Sequence, residues 1–234
     1  MKRGEFLKIV AFLVIGAAPS LAAPPKKSAE RQNIRTTGMF SDLYLSPETG
    51  DVGGWNMFFF MADEDYVLLV HGEGELWKPE LCRVARSGNA VQFRRGGVGT
   101  SVEFKGTFTA THLTGKFSDG SSLKIPRKKG PLLSTFSDLE FSKETGDAMG
   151  MEIVSFLADQ PYVLILEGAG DLRPPVIVPA RQDDKKLSFS LRRPDGSTAR
   201  FVGTESKTFF SGVFTEADGT KLSVKLPAKK SFWE

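Results

Sequence analysis

Apolar and polar residues alternate with a period of two along much of the chain, which is the pattern of half-buried β-strands. The alternation is clear over residues 102–108 and again over residues 187–191. Two stretches, 57–61 and 66–70, are apolar throughout and predict central strands covered on both faces. No convincing amphipathic helix follows the first segment of the chain. The pattern therefore predicts an all-β protein.

The pattern occurs twice, 96 positions apart. Phe-Ser-Asp-Leu at 40–43 returns at 136–139, and Glu-Thr-Gly-Asp at 48–51 returns at 144–147. About 20 of the 43 residues between 40 and 82 are identical to their twins, far above chance, which indicates a tandem duplication. Chemistry that each unit needs should recur in both copies, whereas a residue replaced by an apolar twin is better explained as core.

Each unit of about 95 residues contains about eight apolar runs separated by turn signals, which predicts an antiparallel meander closed into a β-barrel. We assign repeat 1 to residues 39–129, a linker to 130–131 and repeat 2 to 132–234. A barrel of about eight strands has room for its own side chains or one small ligand, and the 19 Phe residues are expected to fill it. Proline cannot donate to a central ladder, so the segment carrying Pro174, Pro175 and Pro179 is placed at an edge.

Residues 1–22 have the features of an export signal, with basic residues before an apolar run and small residues at its end. Residues 23–38 lack apolar periodicity and predict a flexible leader. Removal of the signal leaves 28 basic and 27 acidic residues, a net charge of +1, which argues against nucleic-acid binding. The one cysteine, Cys82, excludes an internal disulfide. We expect an exported protein, periplasmic or extracellular, without an integral membrane span after signal removal.

The last third of each unit carries Leu-x-Gly-x-Phe or Phe-x-Gly-x-Phe, an Asp-Gly turn and Pro-x-Lys-Lys, and repeat 2 ends in Lys230-Ser231-Phe232-Trp233. In these features the chain resembles a loosely defined group of exported bacterial β domains, similar to small calycin-type barrels, that end in a Lys-x-Ser-aromatic-Trp tail. The resemblance implies a calycin-like fold and export, and it carries no catalytic residues. Large aromatic rings are disfavoured in water, so Phe232 and Trp233 are expected to plug a barrel end.

No catalytic group, metal site or cofactor is indicated by the residues that recur. His71 is replaced by Glu167 in repeat 2 and the other histidine by an aromatic residue, so neither fits a metal site that needs three or four ligands. Cys82 aligns with Val178, which favours a buried core thiol. The carboxylates that recur are Asp42/Asp138, Glu48/Glu144, Asp51/Asp147, Asp63/Asp159 and Glu75/Asp171. Most of them sit beside Gly, Thr or Pro, and we expect them to bond turn amides there. A glycosidase-like hydrolase that uses a pair of them is the alternative.

The strongest asymmetry between the copies is aromatic. Trp55 and Trp77 in repeat 1 correspond to Met151 and Arg173 in repeat 2. Exposed indoles could stack a sugar, a peptide or another flat small molecule, while packing at the barrel rim is the alternative explanation. These two residues, with His71, are the candidate ligand-binding site.

These observations favour a non-enzymatic binding or interaction module. The hydrolase is one alternative, and an outer-membrane β-barrel is a second. The latter needs strands of about 9 to 11 residues with aromatic girdles, whereas the strands look shorter here and the chain has 3 Tyr.

Overall fold

The structure is a computed structural model that describes residues 34–96, 101–193 and 195–234. Every regular element in these residues is a β-strand, and all strand pairs are antiparallel, so the all-β prediction is confirmed. The predicted signal segment and most of the leader, residues 1–33, lie outside the described residues. Within the remainder of the leader, Ile34 packs against a core and Gly38 begins the first strand.

Repeat 1 contains nine strands: β1 (Gly38–Ser41), β2 (Tyr44–Leu45), β3 (Val52–Met61), β4 (Asp65–Leu76), β5 (Glu80–Ser87), β6 (Ala90–Arg95), β7 (Val102–Phe108), β8 (His112–Phe117) and β9 (Ser122–Pro126). They form one sheet in the order β1-β3-β4-β5-β6-β7-β8-β9, with β2 paired to the outer half of β3. Strands β1 and β9 approach each other, so the sheet curls into a nearly closed barrel of eight strands.

Repeat 2 contains ten strands: β10 (Leu133–Ser137), β11 (Glu140–Phe141), β12 (Ala148–Leu157), β13 (Pro161–Leu172), β14 (Val176–Pro179), β15 (Arg181–Asp183), β16 (Lys186–Arg192), β17 (Thr198–Glu205), β18 (Phe209–Thr215) and β19 (Lys221–Pro227). The order along the chain matches repeat 1, but the strands form two sheets, β10-β12-β13-β14 with β11, and β15-β16-β17-β18-β19. A single bridge between Phe136 and Ala228 brings β10 next to the end of β19.

The second barrel is therefore not closed, which corrects the expectation of two equivalent barrels of about eight strands. Strand β5 of repeat 1 runs without interruption and joins both halves of its sheet. In repeat 2 the same path is divided into β14 and β15 at Pro179, whose twin is Arg83. Ala180 lies between the two strands, and its N–H still donates to the Pro161 carbonyl oxygen at 2.8 Å. Strand β14 is the edge strand of its sheet, as its prolines predicted.

Each repeat has its own phenylalanine-rich interior. In repeat 1 the interior contains side chains from all parts of the sheet, including Phe59, Phe93 and Phe104, whose exposure is 2% or less. In repeat 2, Phe189, Phe201 and Phe214 fill the equivalent space. Most of these rings are within about 5 to 6 Å of another ring, the range in which aromatic pairs attract. The interiors are thus packed with side chains.

A third core joins the two repeats. Hairpin β3–β4 sends alternate residues outward, such as Phe58 and Leu68, and hairpin β12–β13 sends out Phe156 and Leu164 to meet them. The neighbouring residues on the same strands point into the two interiors. The expectation of central strands covered on both faces is confirmed for 57–60 and 66–70, while Met61 at the hairpin is 47% exposed. We call this cluster the shared core.

The aromatic tail is part of the shared core. Trp233 is 6% exposed and packs there, not in a barrel interior, so the expectation that the two rings plug a barrel end is wrong. Phe232 stays 42% exposed and stacks on Phe141 with ring centroids 4.7 Å apart. The shared core offers Trp233 a larger apolar contact than a barrel end that is already filled with phenylalanine.

A buried carboxylate anchors this tail. Glu152 on β12 is fully buried and accepts hydrogen bonds from the Ser231 hydroxyl at 2.5 Å and the Phe232 N–H at 2.8 Å. Burial raises the pKa of Glu152 above its ordinary value, and the hydrogen bonds from Ser231 and Phe232 oppose that shift. The protonated state is thereby favoured over a wider pH range than in the unfolded chain.

Replacement of Trp233 by Ala is expected to lower the free energy of unfolding by about 3–5 kcal/mol, because it leaves a cavity between the repeats. Replacement of its exposed neighbour Phe232 by Ala should cost about 1 kcal/mol or less. Urea denaturation of the two variants measures the difference. Equal losses for both would contradict the placement of Trp233 in the shared core.

Glu152→Gln tests the buried carboxyl group. The folded state holds the Glu152 proton more tightly than the unfolded chain does, because the pKa of Glu152 is raised on folding. The stability that protonated Glu152 contributes is therefore fully present below the ordinary pKa of 4.5 and is lost as the pH rises through the raised pKa of the folded state. The unfolding free energy of Glu152→Gln minus that of the native protein should therefore increase with pH across this window. Glu144→Gln, at an exposed turn, is the control and should show no such rise.

Candidate functional site

Strands β3 and β4 place Trp55 and His71 directly opposite each other in the ladder. Their rings are stacked, with centroids 4.0 Å apart and an interplanar angle of 22°. The backbone N–H of Trp55 donates to Asp42 Oδ1 at 2.7 Å. The Trp55 side chain is largely buried, with 9% exposure. The preceding Gly54 has a φ of +93°, and a Cβ there would lie 2.7 Å from the Asp42 carbonyl oxygen. Only glycine permits this close approach, so the position of Trp55 is fixed by the backbone.

Trp77 completes the group. It follows β4, and its N–H donates to the His71 carbonyl oxygen at 2.9 Å, which turns the chain back over the rim. The indole lies edge-on to the His71 ring, with centroids 5.5 Å apart and an angle of 64°. Its exposure is 47%, against 9% for Trp55. The structure thus brings together all three predicted residues, which we call the aromatic patch, but only Trp77 presents a large part of its ring to solvent.

Arg95 at the end of β6 belongs to the same place and was missed from the sequence. Its guanidinium carbon lies 4.8 Å from the Trp55 ring centroid and 5.7 Å from that of Phe117, within the range of cation–π attraction. Its Nε is 3.5 Å from Glu80 Oε1. The twin of Arg95 is Leu191, so a comparison of charge between the copies, and not only of aromatic residues, would have identified it.

The environment of His71 favours the neutral form of its imidazole. Burial lowers the pKa of His71, and the positive charge of Arg95 lowers it further. Its Nδ1 is buried and has no hydrogen-bond partner among the described residues. His71 therefore serves as a flat stacking partner between the two indoles.

At the same rim of repeat 2, charged side chains form a network of ion pairs. Glu167, the twin of His71, accepts hydrogen bonds from Arg173 at 3.1 Å and Arg193 at 3.0 Å, and Arg193 also pairs with Glu216 at 2.7 Å. Arg173 is the twin of Trp77. The charges in this network satisfy one another, whereas the aromatic patch leaves the Trp77 ring open to solvent.

A cavity of about 340 Å³ lies beside this ionic network, lined by Ile165, Pro174, Val176 and Leu191. In repeat 1 the positions of Arg173 and Leu191 are taken by Trp77 and Arg95. The two copies have thus diverged most at this rim, which carries large side chains in repeat 1 and an open apolar space in repeat 2.

Four of the recurring carboxylates that were candidates for acid–base catalysis are hydrogen-bonded within the fold. Asp42 and Asp138 each accept a backbone N–H from the opposite strand at 2.7 Å. Asp147 accepts the Thr145 hydroxyl at 2.7 Å, and Asp63 accepts the Tyr66 hydroxyl at 3.1 Å. These four carboxylates are thus engaged within the fold, but by an opposite-strand amide or a nearby hydroxyl and not by the turn amides that the sequence predicted.

Cys82 packs in the interior of repeat 1, as its apolar twin predicted. Burial raises its pKa to about 12, so the thiolate required for nucleophilic attack is not formed near neutral pH. Among the described residues there is no group of three or more His, Cys, Asp or Glu side chains that could hold a metal ion. The described part of the chain also contains no helix long and apolar enough to cross a membrane.

Comparison with known proteins gives no match: no protein-family model, no curated protein and no solved structure is similar to this chain at a significant level. The functional argument therefore rests on the geometry of the described residues.

The exposures of the three tryptophans predict a selective quenching experiment. Trp77→Phe should remove most of the acrylamide-quenchable emission, because Trp55 and Trp233 are 9% and 6% exposed. Trp55→Phe should leave the quenchable fraction nearly unchanged. If the native emission resists acrylamide altogether, Trp77 does not offer a stacking surface.

Proposed function

We propose that the protein is an exported, non-enzymatic binding module that holds a flat ligand on the aromatic patch. The observation that carries the proposal is the convergence of Trp55, His71, Trp77 and Arg95 on one rim of repeat 1, with the Trp77 ring half exposed. The equivalent rim of repeat 2 closes on itself through ion pairs. At this rim, the described residues provide an aromatic stacking surface in repeat 1 and an ion-pair network in repeat 2.

The rigidity of the patch supports binding. Trp55 is fixed between Asp42 and His71, and the Trp77 backbone is hydrogen-bonded to His71, so the exposed indole is held in place before a ligand arrives. A ligand that stacks on a pre-ordered ring loses less conformational entropy on binding than one that must order it. Arg95 and Glu80 lie beside the rings and can pair with polar groups at the edge of the ligand.

The ligand classes that fit are a sugar, an aromatic peptide side chain or another small flat molecule. Each has a face that can lie on an indole and polar groups around its edge. A site inside either repeat is disfavoured, because phenylalanine rings occupy both interiors. The rim is therefore a better location for a ligand than a barrel cavity.

The two other functions draw less support. A hydrolase would need two free carboxyl groups in one cleft, whereas Asp42, Asp63, Asp138 and Asp147 are engaged in the hydrogen bonds described above. Strands β3, β4, β12 and β13 are 10 to 12 residues long, which is longer than the sequence suggested. Their outward faces nevertheless pack on each other in the shared core and not toward lipid. Export is proposed on the signal-like residues 1–22.

Titration of the native protein with chitohexaose, cellohexaose and tyrosine-containing hexapeptides tests the proposal. At least one of them should raise the melting temperature and shift the tryptophan emission. Trp77→Ala should weaken that binding about fivefold, which is the loss of one stacking contact worth about 1 kcal/mol.

Arg173→Ala removes the residue at the twin position and is the matched control, expected to leave the affinity unchanged. Binding that is insensitive to Trp77→Ala would place the ligand elsewhere and contradict the proposal. Release of new reducing ends from either oligosaccharide would instead favour the hydrolase.

A further inference from the structure

A cleft of about 600 Å³ lies between the two repeats, on the side where both repeats end. Strand β9 ends at Pro126 and β19 ends at Pro227, and each is followed by a lysine pair, Lys128-Lys129 and Lys229-Lys230. Both pairs line this cleft. Each repeat thus ends in a lysine pair, and the structure brings the two ends together at one cleft.

The charge of the cleft is strongly unbalanced. Seven basic residues line it, with Glu234 as the single acidic residue among the described lining. The Glu234 carboxylate accepts the Ser231 N–H at 3.3 Å. In the described part of the chain, neither the four paired lysines nor Lys207, which also lines the cleft, lies within ion-pair distance of a carboxylate. A nearly neutral protein thus concentrates positive charge in one concave place, which raises the local concentration of anions.

Two arginines give the cleft a fixed cationic wall. Arg127 donates to the carbonyl oxygens of Thr37, at 2.6 Å, and of Arg35, and its guanidinium lies 4.4 Å from the Phe40 ring centroid. Arg35 donates to the Phe232 carbonyl oxygen at 3.1 Å. Burial lowers the pKa of Arg127, and the charge of Arg35 lowers it further. Both guanidinium groups are therefore held by neutral carbonyl oxygens, and no carboxylate of the described residues lies within ion-pair distance of either.

An unused hydroxyl group lies in the same cleft. Thr135 on β10 lines it and is 3% exposed, and its Oγ1 has no hydrogen-bond partner among the described residues. A buried hydroxyl without a partner costs free energy unless a ligand or water satisfies it. The Lys229 N–H donates to the Thr135 carbonyl oxygen at 3.2 Å, so this hydroxyl lies next to one of the lysine pairs.

We propose that this cleft binds a small, multiply charged anion that carries phosphate or carboxylate groups. The twin lysine pairs provide positive charge from both repeats, Arg35 and Arg127 provide a fixed cationic wall, and Thr135 provides a buried hydroxyl. A cavity of this size holds a molecule of several linked anionic groups. The site is separate from the aromatic patch and does not depend on it.

Tripolyphosphate and citrate are the probes, and sodium chloride at matched ionic strength is the comparison. Both the thermal shift and isothermal titration calorimetry should show binding of at least one probe beyond the effect of chloride. Reversal of one lysine pair, Lys229→Glu with Lys230→Glu, should weaken that binding about tenfold or more, because attraction to two charges becomes repulsion. Lys116→Glu with Lys143→Glu makes the same change in net charge outside the cleft and should alter the affinity less than twofold.

Thr135→Val is the second variant, because it keeps the shape of the side chain and removes only the hydroxyl. We expect it to fold as the native protein does and to bind the probe about three- to tenfold more weakly. Trp77→Ala should leave anion binding unchanged, which separates this proposal from that of the aromatic patch.

Three results would overturn the proposal: stabilisation by both probes no greater than that by chloride, equal losses for the cleft and control lysine variants, or tighter binding of a single-stranded oligonucleotide than of either probe. The last result would assign the cleft to a polymeric nucleic acid, which the sequence argued against.

Discussion

The shared core is the interaction on which the rest of the molecule depends. Each of the hairpins β3–β4 and β12–β13 is apolar on both faces, so neither repeat could leave its outward face in water without exposing large side chains such as Phe58 and Phe156. The duplication solves this problem, because the twin hairpins cover each other. Each copy therefore stabilises the other, and the cleft between their ends follows from the same packing.

The duplication also separates structural residues from candidates for function. Asp42 and Asp138 perform the same task in both copies, each accepting a backbone N–H at 2.7 Å, and this explains why both are carboxylates. The rim occupied by Trp77 in repeat 1 and Arg173 in repeat 2 needs no common chemistry to maintain the fold. It was free to diverge, and it did so toward an aromatic patch in one copy and an ion-pair network in the other.

The sequence predicted local features well, because they depend on periodicity. The continuous apolar stretches predicted strands buried on both faces, and the prolines predicted that β14 lies at the edge of its sheet. The apolar twin of Cys82 predicted a buried thiol. The open second barrel was not predicted, because the division between β14 and β15 is an interruption at Ala180 that the apolar periodicity does not reveal. The position of Trp233 was missed as well, because the sequence alone does not reveal that the outward faces of the two hairpins meet.

For the candidate sites, the comparison of the two copies identified aromatic residues that one copy lacks. It did not identify the charged residues of either site. Trp55 and Trp77 were identified because their twins are not aromatic, and His71 because it lies near them in the sequence. Arg95 was missed because a lone arginine on a strand has many ordinary roles. The lysine pairs were visible, but their meaning depends on the distance between two chain segments about 100 residues apart, which no local pattern encodes.

A pair of buried polar twins shows how the shared core positions the basic cleft. Asn56 on β3 and Glu152 on β12 occupy the same position in the two copies, and each reaches the backbone that follows a lysine pair. Glu152 is the longer side chain and accepts the Ser231 hydroxyl. The shorter Asn56 lies so close to Gly130 that a Cβ there would overlap its amide. Glu152 thus holds the backbone after Lys229-Lys230 through hydrogen bonds, whereas Asn56 only approaches Gly130 closely, and its Oδ1 has no hydrogen-bond partner among the described residues. Burial of a carboxylate costs free energy unless hydrogen-bond donors satisfy it. Glu152 is therefore better explained by the position that it gives Ser231 and Phe232, which follow one of the lysine pairs, than by its contribution to stability alone.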